Sequence, residues 1–173
     1  MADINYLSYA NDEDLNETLG DLIPDGNHYS DTLKLSNCHR VRITAGKIVG
    51  GREDCVDINR GSHITVEAEE YHPRGKFVFT VKGGADKVWL NGKLMGHGSE
   101  VDVDLGNWSD QAMDRTKVVL LNLTTHDGSP IRVRVLHGWK PVIVNPAQRY
   151  EIDVRAKGVF GTIMGFLKKL KFA

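Results

Sequence analysis

The feature that most constrains this chain is a pattern that returns at an offset of 23 residues. Leu33-Lys34-Leu35, a polar corner from Ser36 to Arg40, and Val41-Arg42-Ile43 make the first unit. Val56-Asp57-Ile58, the corner Asn59 to His63, and Ile64-Thr65-Val66 make the second. Phe79-Thr80-Val81, the corner Lys82 to Lys87, and Val88-Trp89-Leu90 make the third. Val103-Asp104-Leu105 and Val119-Leu120-Leu121 follow, separated by a longer insertion. Val133-Arg134-Val135 and Val142-Ile143-Val144 close the series.

An apolar-polar-apolar triplet is strand alternation, with one side chain inward and the next outward. Strands this short cannot bury their inward face alone, but stacked at a fixed period they share one continuous core. The expected fold is all-β, a single-stranded parallel β-helix of about five coils over residues 33–154. One coil per strand spacing makes it a rod about 25 Å long. The expected inward stacks are Leu33/Val56/Phe79/Val103/Val133 and Leu35/Ile58/Val81/Leu105/Val135. A second face stacks Val41/Ile64/Val88/Val119/Val142 and Ile43/Val66/Leu90/Leu121/Val144. An antiparallel sandwich also has short alternating strands, but it does not require a constant offset.

A solenoid needs its ends covered. Residues 1–32 form an acidic segment without Lys or Arg, expected as an N-terminal cap. Asn11 to Leu19 reads as a short helix, with Asn11 or Asp12 as N-cap and acids in its first turn. Residues 155–173 contain five bases and no acid. There Phe160, Ile163, Met164, Phe166, Leu167 and Leu170 fall at helical spacing, with Lys168 and Lys169 near the end, so a basic amphipathic helix is expected. It suits a cap over the last coil, a helix docked on another subunit, or, least favoured, a membrane-surface helix. The insertion before Val119 carries Trp108 and Met113, natural anchors for a partner on an otherwise polar loop.

Composition narrows the function classes. The 173 residues suit one domain, and 40% hydrophobic with 26% charged residues suits a globular chain. The formal net charge is -1, and bases and acids are interspersed through the coils, so no nucleic-acid stripe is visible. No secretory signal and no membrane-spanning run are evident. Cys38 and Cys55 share no metal-type spacing and are expected as buried thiols rather than a disulfide. His39, His63 and His137 occupy similar corners, and exposed corner histidines are the commoner reading. No phosphate-binding loop, zinc-protease motif or nucleophile elbow occurs, so neither cofactor nor metal is expected.

The stretch from Gly51 to Val66, GREDCVDINRGSHITV, resembles pectin-lyase-type right-handed β-helices. It is most similar to the polygalacturonase segment with a G-D-D-C core. That resemblance implies a catalytic role for Glu53 and Asp54, and Gly96-His97-Gly98 matches a second family motif in letters. Adjacent carboxylates in a strand point to opposite faces, so solvated corner carboxylates are the plainer expectation. No catalytic residue is therefore assigned; Glu53, Asp54 and His97 belong to the alternative, a carbohydrate-binding or polysaccharide-degrading protein. A short β-helix with few long loops looks more like the structural proteins of viruses and phages. The first expectation is thus a non-enzymatic capsid-decorating, spike or tail protein, a homotrimer contacting other virion proteins, assembled in the host cytoplasm.

Overall fold

The computed structural model describes residues 6–25, 27, 30–106, 116–136 and 138–155. Its strands are β1 (Leu7–Ala10), β2 (Asn16–Thr18), β3 (Leu33–Val49), β4 (Asp54–His72), β5 (Phe77–Lys82), β6 (Asp86–Leu94), β7 (Val103–Leu105), β8 (Lys117–Thr125), β9 (Ile131–Leu136), β10 (Trp139–Ile143) and β11 (Tyr150–Arg155). Each pairs in parallel with the strand one coil before or after it. The result is an all-β parallel β-solenoid of about six turns.

The stacked triplets form the core. Leu33, Val56, Phe79, Val103 and Val133 are in register, as are Leu35, Ile58, Val81, Leu105 and Val135. On the second face Val41, Ile64, Val88 and Val119 align, followed by Ile43, Val66, Leu90 and Leu121. All of these side chains are buried. A third side holds Leu22, Ile48, Tyr71 and Leu94, also in register and buried. Tyr71 packs edge-on to Phe79 at 4.7 Å and donates its hydroxyl to the Asn91 carbonyl at 3.0 Å, so its one polar atom is satisfied inside the core.

The corner between the first two faces is built from left-handed backbone. Asn11, Asn37, Arg60 and Gly83 have φ of 60°, 55°, 67° and 63°. Asp14, Arg40, His63 and Lys87 repeat the device at 55°, 55°, 57° and 54°. Two such residues per coil turn the chain without breaking the parallel pairing, which is why β3 and β4 run through the corner as continuous strands. Gly61 lies between them, and a Cβ there would stand 2.0 Å from the Cys38 carbonyl oxygen. Cys38 and Cys55 are free and buried, as expected.

The two ends of the solenoid depart from expectation. The segment Asn11 to Leu19 is not a helix: β1 and β2 pair with β3, so the N-terminal segment is itself a coil, and the turns number about six. The last coil is shifted by one residue on the second face. Pro141 and Ile143, not Val142 and Val144, stand opposite Val119 and Leu121. Trp139 sets that parity: its indole is buried against Gly106, where a Cβ would stand 2.6 Å from Nε1. Every second residue after Trp139 then faces inward, and Val144 is left 41% exposed. The C-terminal helix, with Phe160, Ile163, Met164, Phe166, Leu167, Lys168, Lys169 and Leu170, lies outside the described residues, as do Trp108, Met113 and His137.

Candidate functional site

Outward residues of the first face form a second ladder, Lys34/Asp57/Thr80/Asp104/Arg134/Asp153. An outward ladder on a sheet is ordinarily solvated, but here Asp57, Thr80 and Asp104 are buried. Arg134 clamps Asp104 with two bonds of 2.7 Å, its guanidinium 5.2 Å above the Phe77 ring. Asp57 accepts from Lys82 at 2.9 Å, and Lys34 lies 3.7 Å from it and 3.8 Å from Asp31.

Asp54 joins this group from the start of β4. Glu53 is exposed and Asp54 buried, so Asp54 is not the solvated corner carboxylate expected of it. Burial, with the charges of Asp31 and Asp57 nearby, pushes Asp54 up to about 8. Burial and the Asp57 charge push Asp31 up to about 6. One oxygen each of Asp54 and Asp57, and the Thr80 hydroxyl, are buried without a hydrogen bond. The acids are a crowded cluster on the outer surface of one sheet, not a pair flanking a cleft.

His97 lies on the same edge of the rod as Glu53. Glu53 accepts from the Lys76 amide at 2.8 Å, and Lys76 accepts from the Glu100 amide at 3.1 Å, so the two segments are two coils apart. The matched motifs therefore share an edge, but His97 belongs to a separate constellation. Its Nδ1 is 3.0 Å from Asp102 Oδ2 and its Nε2 is 2.7 Å from Ser129 Oγ. Asp102 is completely buried and accepts from the Gly98 amide at 3.0 Å and the Arg132 amide at 2.8 Å. The Arg132 guanidinium reaches Asp102 at 3.2 Å and also donates to the Gly98 carbonyl. Ser129 Oγ lies 2.5 Å from Asp127 Oδ1, and this holds the Asp127 carboxyl at about 2.

An open groove of about 610 Å³ runs across the coils where the second side bends into the third. Thr18, Thr44, Glu67, Asn91, Asn122 and Lys93 are among its lining residues. Asn122 donates to Asn91 at 2.8 Å, and Arg42 braces Glu67 at 2.8 Å. Trp89, two residues before Asn91 on the same outer surface, is 41% exposed.

Two of the corner histidines, His39 and His63, meet at one serine, and His137 lies outside the described residues. His39 Nδ1 is 3.1 Å from Ser62 Oγ and His63 Nδ1 is 3.3 Å from the same hydroxyl. No group of three or more His, Cys, Asp or Glu able to hold a metal ion occurs among the described residues. No helix among them is long and apolar enough to cross a membrane. Sequence reasoning missed Asp57, Asp102 and Ser129. For Asp57 a signal existed, a lone acid between two inward apolar residues of the repeat.

Comparison with protein-family models, with curated proteins and with solved structures finds no match to this chain.

Proposed function

We propose that this chain is a structural rod of a viral particle, a capsid-decorating or spike-type β-helix protein working as a homotrimer beside other virion proteins. The resemblance of residues 51–66 to pectin-lyase-type right-handed β-helices supplies the class of protein. The distribution of exposed apolar side chains carries the reading. Among the described residues four large apolar side chains are exposed, and three of them, Tyr6 (58%), Val144 (41%) and Val154 (60%), lie on the first or last coils. β11 pairs with β9 on one side, and no described strand pairs with its other edge. Apolar contact and an open strand edge at the ends of a rod suit end-on or side-by-side assembly. The acid cluster lacks a cleft, which favours a structural role over glycan cleavage.

Size-exclusion chromatography with light scattering tests the reading. The full chain is expected to run as a trimer, and Val144→Asp with Val154→Asp as a monomer of unchanged circular dichroism. A full chain that remains monomeric at all concentrations overturns it.

A second reading has its own observation, the open polar groove with Trp89 beside it. A polysaccharide lying along the rod meets the Thr44, Glu67, Asn91 and Asn122 side chains in successive coils. Titration calorimetry with neutral oligosaccharides is expected to give binding that Trp89→Ala and Asn91→Ala abolish. Heat signals equal in all three proteins, or none, dismiss it.

A further inference from the structure

We propose that Ser129 and His97, with Asp102 holding the imidazole, form a nucleophilic relay that hydrolyses short-chain acyl esters. The inference goes beyond the assembly reading and does not rest on it. It begins with hydrogen-bond bookkeeping. The Asp102 carboxylate only accepts, so the proton between it and His97 sits on Nδ1. A neutral imidazole then presents its lone pair at Nε2, which faces the Ser129 hydroxyl at 2.7 Å. Nucleophile, base and orienting carboxylate are thereby joined through the same atoms as in serine hydrolases, a constellation recognised by geometry and role rather than by sequence order or fold.

The surroundings fit those roles. Asp102 is fully buried and fixed by two backbone amides and the Arg132 guanidinium, so the imidazole has one preferred orientation. Ser129 is half-buried and follows the exposed residues His126, Asp127 and Gly128 of the turn between β8 and β9. Beside it Gly128 adopts φ +74°, and nothing lies within 4 Å of where its Cβ would be. The Ser129 carbonyl accepts from Thr125 Oγ1 at 2.8 Å and from Gln148 Nε2 at 2.9 Å, which fixes the backbone under the nucleophile. Asp127 is a brake: one hydroxyl proton faces two acceptors, His97 Nε2 and Asp127 Oδ1. The open space beside Gly128 suits a small acyl group.

The reaction balances with water as co-reactant. Ser129 Oγ bonds to the ester carbonyl carbon while its proton passes to His97 Nε2. The carbon–oxygen bond to the alcohol breaks, and the departing oxygen takes that proton. Water then attacks the Ser129 ester, its proton moves through His97 to Ser129 Oγ, and the carboxylic acid leaves.

The test uses the full-length protein with a fluorophosphonate probe, with adducts mapped by mass spectrometry, and with p-nitrophenyl acetate as substrate. A single adduct on Ser129 is expected, and Ser129→Ala or His97→Ala lowers ester hydrolysis by roughly a hundredfold. Ser129→Ala removes one half-buried hydroxyl at a turn and is expected to melt close to the parent, which separates lost chemistry from lost folding. Asp127→Asn keeps an acceptor for the turn but removes its charge, which weakens the brake, so Ser129 labels faster. No adduct on Ser129, or hydrolysis undiminished in folded Ser129→Ala, overturns the proposal.

Discussion

Two sets of buried aspartates lie on one molecule, and their surroundings differ. Asp102 has no exposed surface, yet amides, a guanidinium and an imidazole meet its oxygens. Asp54 and Asp57 are nearly as buried, yet each keeps an oxygen without a partner, and acids crowd them. Burial alone therefore does not decide whether an aspartate holds a fold together. The donors that the neighbouring coils bring to it decide. At Asp102 the charge is an organiser of the corner. At Asp54 it is a burden that a proton relieves.

The comparison breaks first at Asp102. Asp102→Ala leaves the Gly98 and Arg132 amides unmatched and takes the carboxylate from the Arg132 guanidinium, and is expected to cost about 3 kcal/mol in urea unfolding. A loss below about 0.5 kcal/mol removes the organiser. Asp54→Asn is expected to act in the other direction, stabilising the chain by about 1–3 kcal/mol at neutral pH. A destabilisation there shows the charge to be needed.

The pH dependence sharpens the same contrast. Asp54 is raised to about 8 and Asp31 to about 6, so across this range the folded chain holds protons that the unfolded chain has released. Their stabilisation is fully present below about pH 4 and is lost as pH rises through the folded values. Melting temperature is thus expected to fall between pH 5 and 8, and Asp54→Asn to flatten that slope. A parent slope of the opposite sign contradicts the assignment. The smallest effect belongs to Glu53→Gln, an exposed neighbour of Asp54, expected to change stability by less than about 0.5 kcal/mol. A larger change means that adjacency matters where burial is held responsible.

The sequence made the middle of the solenoid legible because the 23-residue offset there is constant, and four positions per coil are apolar at period two. The ends escaped for definable reasons. Leu7 pairs with Leu33, an offset of 26, so the first coil does not repeat in step with the others. Its acids also imitate a helix start. At the other end Val142-Ile143-Val144 is apolar throughout, so alternation cannot choose a register, and the buried Trp139 chooses it instead. The His97 constellation was hidden by the long coil: Asp102 meets Arg132 across 30 residues rather than 23. His97 stands out in the sequence only by its motif letters, and its partners Asp102 and Ser129 are not the acids that the resemblance implies. The acid cluster was half legible, since Asp54 was singled out but its burial depends on what the outer ladder packs over it.

The unequal lengths of the strand pairings have a mechanical consequence. β3 and β4 match along 14 aligned positions, whereas β7 aligns with each of its neighbours at only three. In a stack where each layer touches only the next, that inequality divides the rod into a stiff collar and a looser far end. Amide hydrogens of β3 and β4 should then exchange slowest, and those beyond β7 should exchange in an earlier, separate opening. A pulling force applied along the axis would unzip the C-terminal coils first and stall at the collar.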